Sequence, residues 1–145
     1  DNAHWNRIAA LTLALAEMKE FGKAYAKQVI TNSQTLAKAL HEHGFPVICQ
    51  HRGFTRSHQV IMNYRTPEKS RTIAEKLQNA HIIVDCVIRL GTCEVTRRGM
   101  KQEEMLRIAE LIKRAIIDEE SVQSLRKDVG KLAAEFQGVE YCYPE

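Results

Sequence analysis

The 145 residues carry 21 lysines and arginines against 18 aspartates and glutamates, a net charge of +3, with 44% hydrophobic and 27% charged positions. This is the composition of one ordinary globular domain, of a size that buries roughly 70% of its unfolded surface. No run approaches the ~20 apolar residues a bilayer span needs, which argues against a membrane role, and the mildly basic balance favours anionic ligands without requiring nucleic acid.

The first forty residues predict one long amphipathic helix with a bend at Gly22, because Ile8, Leu11, Leu15, Met18, Phe21, Tyr25, Val29, Leu36 and Leu40 recur at three- and four-residue steps. Gly44-Phe45-Pro46 stops it, and His41 and His43 in the last turn suit the helix dipole. A helix of that length exceeds what a compact domain of this size uses, and Ala9, Ala10, Leu11, Leu13, Ala14 and Leu15 make its front half apolar nearly all round. That half is expected to pack on something outside this chain. With Asp1 already at the edge of structured sequence, the whole reads as a piece of a longer protein.

A short strand follows at Val47-Ile48-Cys49-Gln50, then a loop, then a clearer strand from His58 to Tyr64. Thr66 and Pro67 predict a helix start, and Ile73, Ala74 and Leu77 give the inward face of a helix reaching about Ala80. Ile82-Ile83-Val84 and Val87-Ile88-Arg89-Leu90 form a third strand region, interrupted at Asp85-Cys86. Met105, Ile108, Ile112 and Ile116 mark a helix from Lys101 or Gln102, and a last one restarts at Asp118 or Ser121 and runs through Leu125, Val129, Leu132 and Phe136. Gly138 ends it ahead of an extended tail. The expected fold is therefore α/β: a three-stranded sheet with helices on one face, preceded by a long interdomain helix. The helix takes residues 1–45 and the small domain residues 46–145.

Cys49, Cys86, Cys93 and Cys142 show no Cys-x-x-Cys pair, so a zinc knuckle is not indicated, and their scatter suits buried or free thiols in a reducing cytosol. The histidines show no metal-ligand spacing, and His58, opening a strand, reads as a buried or hydrogen-bonded structural residue. No phosphate-binding Gly-rich loop, nucleophile elbow or Schiff-base lysine context is present.

The stretch with chemical content is Val87-Ile88-Arg89-Leu90-Gly91-Thr92, continuing to Val95-Thr96-Arg97-Arg98-Gly99-Met100. An arginine at the end of a β-branched strand, before a Gly-Thr turn, can present a rigid two-pronged donor to a carboxylate or phosphate. On pattern alone it is equally a surface arginine. Arg97, Arg98 and Lys101 are either part of the same anion site or solvated charges pairing with Glu94, Glu103 and Glu104.

These blocks, with His4, Asn6-Arg7-Ile8-Ala9-Ala10-Leu11, Tyr25-Ala26-Lys27-Gln28-Val29, Asn32 and Ser57-His58, resemble the C-terminal small domain of serine hydroxymethyltransferase in the family's order. The resemblance implies a fold-type-I enzyme dependent on pyridoxal phosphate that moves a one-carbon unit between serine and a tetrahydropterin, leaving glycine. It implies that Arg89 grips the α-carboxylate of the amino-acid substrate, with Arg97 and Arg98 supporting the loop. It also implies a cytoplasmic homodimer whose large domain, absent from this chain, holds the cofactor, so that the chain alone is inactive. The short link through Ile83-Val84-Asp85-Cys86-Val87, with Glu17-Met18 and Glu20-Phe21-Gly22, resembles archaeal members, whose carrier is tetrahydrofolate or a modified pterin such as tetrahydromethanopterin. A related pyridoxal-phosphate aldolase or transaldolase shares the carboxylate-gripping arginine. A stand-alone polyanion-binding module would instead use Arg52, Arg56, Arg89, Arg97, Arg98 and Lys101.

Overall fold

A computed structural model of the chain describes residues 4–144; the first three residues of the expected long helix lie outside the described residues. That helix, α1, spans Trp5–Glu42 without interruption at Gly22 and is about 57 Å long. Its end is a Schellman turn. Gly44 takes φ +88, the Gly44 N–H donates to the His41 carbonyl at 2.9 Å, and the Phe45 N–H reaches the Leu40 carbonyl at 3.1 Å. Packing of α1 is concentrated in its second half, where Val29, Leu36, Ala37, Ala39 and Leu40 are buried, whereas residues 4–16 are exposed throughout.

The sheet is smaller than the sequence reading expects. β1 (Gln59–Ile61) and β2 (Arg89–Gly91) pair antiparallel, with Gln59 opposite Gly91, Val60 opposite Leu90 and Ile61 opposite Arg89. The expected first strand contributes one bridge, Val47 to Met62, because the chain turns left-handed at Cys49 (φ +62) and leaves the edge after Ile48. Nor do Ile82, Ile83 and Val84 form a strand. The Ile82 N–H closes the preceding helix on the Leu77 carbonyl at 2.9 Å, and Ile83 is 88% exposed. β2 itself starts only at Arg89, since Ile88 sits at φ +55, a strained conformation for a β-branched residue; its side chain is fully buried, which offsets the strain.

Four more helices complete the fold. α2 (Pro67–Asn79) is capped by the Thr66 hydroxyl, which accepts from the Lys69 N–H at 3.3 Å. α3 (Cys93–Arg97) occupies the stretch expected as a turn. In α4 (Gln102–Ile116) the Glu104 carboxylate accepts the Lys101 N–H at 2.8 Å, closing the first turn. α5 (Val122–Glu135) starts on the Ser121 hydroxyl, which accepts from the Ser124 N–H. α1 packs chiefly on α4, and Val60 and Leu90 project from the sheet into the same core as Leu40, Leu77, Met105, Ile112 and Leu125. The tail expected as extended is instead bent, with Tyr141 at φ +59.

Candidate functional site

Strand alternation decides where Arg89 goes. Leu90 points into the core, so Arg89 and Gly91 face the other way, and the Arg89 side chain is 49% exposed. The residues around it are fixed by a buried polar network reaching back to α1. The Thr92 hydroxyl donates to the Val29 carbonyl at 3.0 Å, and the Thr92 N–H to the His58 carbonyl at 3.1 Å. Asn32, fully buried, donates to the Thr96 hydroxyl and the Met100 carbonyl, each at 2.9 Å, and accepts from Gln28 at 2.8 Å. The Thr96 hydroxyl in turn donates to the Thr92 carbonyl at 2.6 Å, and Ser33 holds the Ser57 carbonyl at 2.6 Å. Buried polar atoms that are all satisfied admit few alternative arrangements, so the Gly91-Thr92 turn is rigid.

The guanidinium has an internal partner that the sequence reading did not assign. Asp85 accepts the Arg89 backbone N–H at 2.8 Å and the Val87 N–H at 3.1 Å on one oxygen, and the Arg89 Nε–H on the other. Partial burial pushes the Asp85 carboxyl up, but these hydrogen bonds outweigh it and hold the group below its ordinary value. Both side chains remain open to water, so the pair contributes about 0–1 kcal/mol. It uses only the Nε edge. Among the described residues Arg89 Nη1 and Nη2 make no hydrogen bond, and together they form the planar fork that binds a carboxylate. The signal was in the sequence: a carboxylate four residues before the arginine.

Arg97 and Arg98 are engaged elsewhere, and not with Glu94, Glu103 or Glu104. Arg97 donates to Glu17 Oε2 at 2.6 Å and to the Tyr141 carbonyl at 2.7 Å, and Arg98 Nε to the Phe136 carbonyl at 3.0 Å. They bind the chain's own first helix and C-terminal segment. His58 corrects a further expectation: its imidazole is exposed, and its backbone carbonyl, not its ring, makes the structural bonds. A hollow of about 390 Å³ lies beside Ile61, the register partner of Arg89, walled by Ile48, Tyr64, Arg65, Cys86 and Val87. Among the described residues no three His, Cys, Asp or Glu side chains gather in a way that could hold a metal ion, and no helix is long and apolar enough to cross a membrane.

With this geometry in view, the comparisons are specific. A family model described as serine hydroxymethyltransferase matches residues 2–112. The chain is 43% identical to serine hydroxymethyltransferase of Methanocaldococcus jannaschii, the match covering 99% of this chain and 38% of that protein, and 42% identical to that of Methanopyrus kandleri, covering 98% and 37%. Its fold superposes on L-threonine transaldolase from Pseudomonas fluorescens with a TM-score of 0.83 at 27% identity, over 90% of this chain and 32% of that one. The chain thus spans less than two fifths of the length of the curated relatives it matches. On the residues matched and the identity of these relatives, the chain belongs to the serine hydroxymethyltransferase family.

Proposed function

We propose that this chain supplies the substrate-carboxylate grip of a serine/glycine hydroxymethyltransferase, with Arg89 as the gripping residue. The observation that carries this reading is the arginine fork, Nη1 and Nη2, held on the end of a rigid strand with no protein partner of its own. The remainder of the protein is the part expected to hold pyridoxal phosphate, and the residues described here serve the amino acid that the cofactor works on. When bound, pyridoxal phosphate supplies the electron sink that allows bonds at the α-carbon to break.

The role of this chain is orientation. A bidentate carboxylate clamp fixes the amino acid so that the bond to be broken stands perpendicular to the plane of that sink. Asp85 aligns the guanidinium from behind through Nε without occupying the fork, and the Thr92–Val29 and Asn32–Thr96 bonds keep the strand end from shifting. Arg97 and Arg98 act as loop supports and not as ligands.

The proposal extends to the whole enzyme. The exposed front half of α1, with Trp5, Leu11, Leu13 and Leu15, docks on a large domain, residues 1–45 forming the interdomain helix and 46–145 the small domain. Serine and glycine are the amino-acid substrates, and tetrahydrofolate or tetrahydromethanopterin is the one-carbon carrier. The enzyme works as a cytoplasmic homodimer. The threonine transaldolase neighbour supports a second reading, a related aldolase or transaldolase with the same carboxylate grip, but at 27% identity against 43% it is the weaker one.

The experiment is Arg89→Lys in the enzyme completed by the portion its relatives carry. The charge is kept and the fork lost, and serine affinity is expected to fall by about 1–3 kcal/mol, the range for hydrogen bonds to charged groups. Unchanged serine binding, measured by titration, would remove Arg89 from the site.

A further inference from the structure

Ahead of Val29, α1 has a single buried residue among those described, Glu17. From Glu17 the helix carries Phe21 and Tyr25 at four-residue steps on one face, and each of the three meets the C-terminal tail or its anchor. Arg97 is that anchor. One prong binds Glu17 at 2.6 Å, the other the Tyr141 carbonyl at 2.7 Å, and the Arg97 carbonyl accepts the Glu140 N–H at 2.7 Å. The Tyr141 ring lies 5.3 Å from Tyr25, the Tyr143 ring 5.5 Å edge-on to Phe21, and the Tyr143 hydroxyl donates to the Ala16 carbonyl at 3.3 Å. Tyr25 donates to the Cys93 carbonyl at 3.1 Å, which ties the same helix face to the start of α3. Burial above all, with Cys93 adding to it, pushes the Tyr25 phenol up to about 12, so it remains a donor across the working range of pH.

Two features mark the tail as placed and not incidental. Tyr141 holds φ +59, a left-handed backbone that an aromatic residue keeps only where its surroundings hold it. Glu140 crosses Gly99, itself at φ +96, where an added Cβ would meet Glu140 Cγ at 3.2 Å. The family match ends at residue 112, so it assigns this tail no role. We propose that residues 139–144 act as a positioning strap that fixes the direction in which α1 leaves the domain and, through Arg97, holds α3 behind the strand that carries Arg89.

Hydrogen exchange on the 145-residue chain tests the strap without any substrate. In a variant ending at Gly138, amides of residues 17–25 are expected to exchange roughly tenfold faster or more, while residues 32–40 keep their protection. Arg97→Lys, which retains the charge but reaches only one of the two partners, should lie between. Unchanged exchange at 17–25 would overturn the proposal, and so would equal loosening of the whole helix, since the tail would then be a general stabiliser. A second arm rests on the proposed function: in the completed enzyme the same deletion should raise KM for serine several-fold and leave kcat within about twofold. A fall in kcat with KM unchanged would refute the positioning role. If Arg89→Lys leaves serine binding intact, the functional reading fails while the exchange result still decides the strap.

Discussion

Asn32 shows how much of the Gly91-Thr92 turn beside Arg89 is held by buried polar groups of the chain itself. Its amide is buried with both ends committed, to Gln28 on one side and to Thr96 and Met100 on the other. Asn32→Ala strands the Met100 carbonyl and the Thr96 hydroxyl away from water and should cost about 1–3 kcal/mol in urea denaturation. Asp85 acts through charge. Its folded-state pKa lies below its ordinary 3.8, so its hold on Arg89 is complete above that value and is lost as pH falls through the depressed one. An NMR titration of the Asp85 carboxyl should therefore show a midpoint under 3.8, moving back toward it in Arg89→Gln. The position of Arg89 at a strand end before Gly-Thr was legible in the sequence. The partners of Arg97 were not, since Glu17 stands 80 positions away and only the fold brings them together.

The helices were readable because their periodicity and caps are local signals. Thr66, Ser121 and the Gly44 stop all act where expected. The strands were less so. Short β-branched runs read alike whether they pair or not, and pairing at 47–50 and 82–84 is limited by left-handed residues at Cys49 and His81 that composition does not announce. The packing of α1 on α4 is the most extensive between helices. Leu40→Ala, at a fully buried core position of α1, should destabilise the chain by about 2–5 kcal/mol. Beside their apolar contact, α4 and α5 are joined by ion pairs of Arg114 with Glu120 and Asp128. Hydrogen bonds from Arg114 foremost, then from Ser124, lower the Glu120 carboxyl from 4.5 to about 2. Because this folded-state value is depressed, the contribution is present above pH 4.5 and disappears as pH falls toward 2. Glu120→Gln should accordingly flatten the acid limb of the stability curve relative to the parent chain.

Considered as a single body, the chain has two unlike ends. One is a packed core, in which the Tyr64 hydroxyl is the buried side-chain polar atom left without a hydrogen-bond partner among the described residues; the other is a bare helix whose Trp5 is 79% and Leu15 62% exposed. An apolar surface of that kind belongs to an interface. Replacing Leu11 and Leu15 together with Gln should therefore leave the unfolding free energy of this chain within about 0.5 kcal/mol, because neither side chain packs here, and should weaken its association with the remainder of the enzyme. The sequence announced that asymmetry through a helix too long and too apolar for its domain. It did not announce the placement of the tail, which meets Arg97 44 positions back and Ala16 127 positions back.

Whether the Arg89 fork meets a carboxylate is decided by a chemical cycle in the completed enzyme. Binding of L-serine and of its neutral amide would be compared in the parent protein and in Arg89→Lys. The parent should discriminate strongly for serine, and the variant should lose most of that preference by weakening serine alone. If both proteins distinguish serine from its amide to the same degree, the carboxylate is held by some other residue and the assignment of Arg89 is wrong.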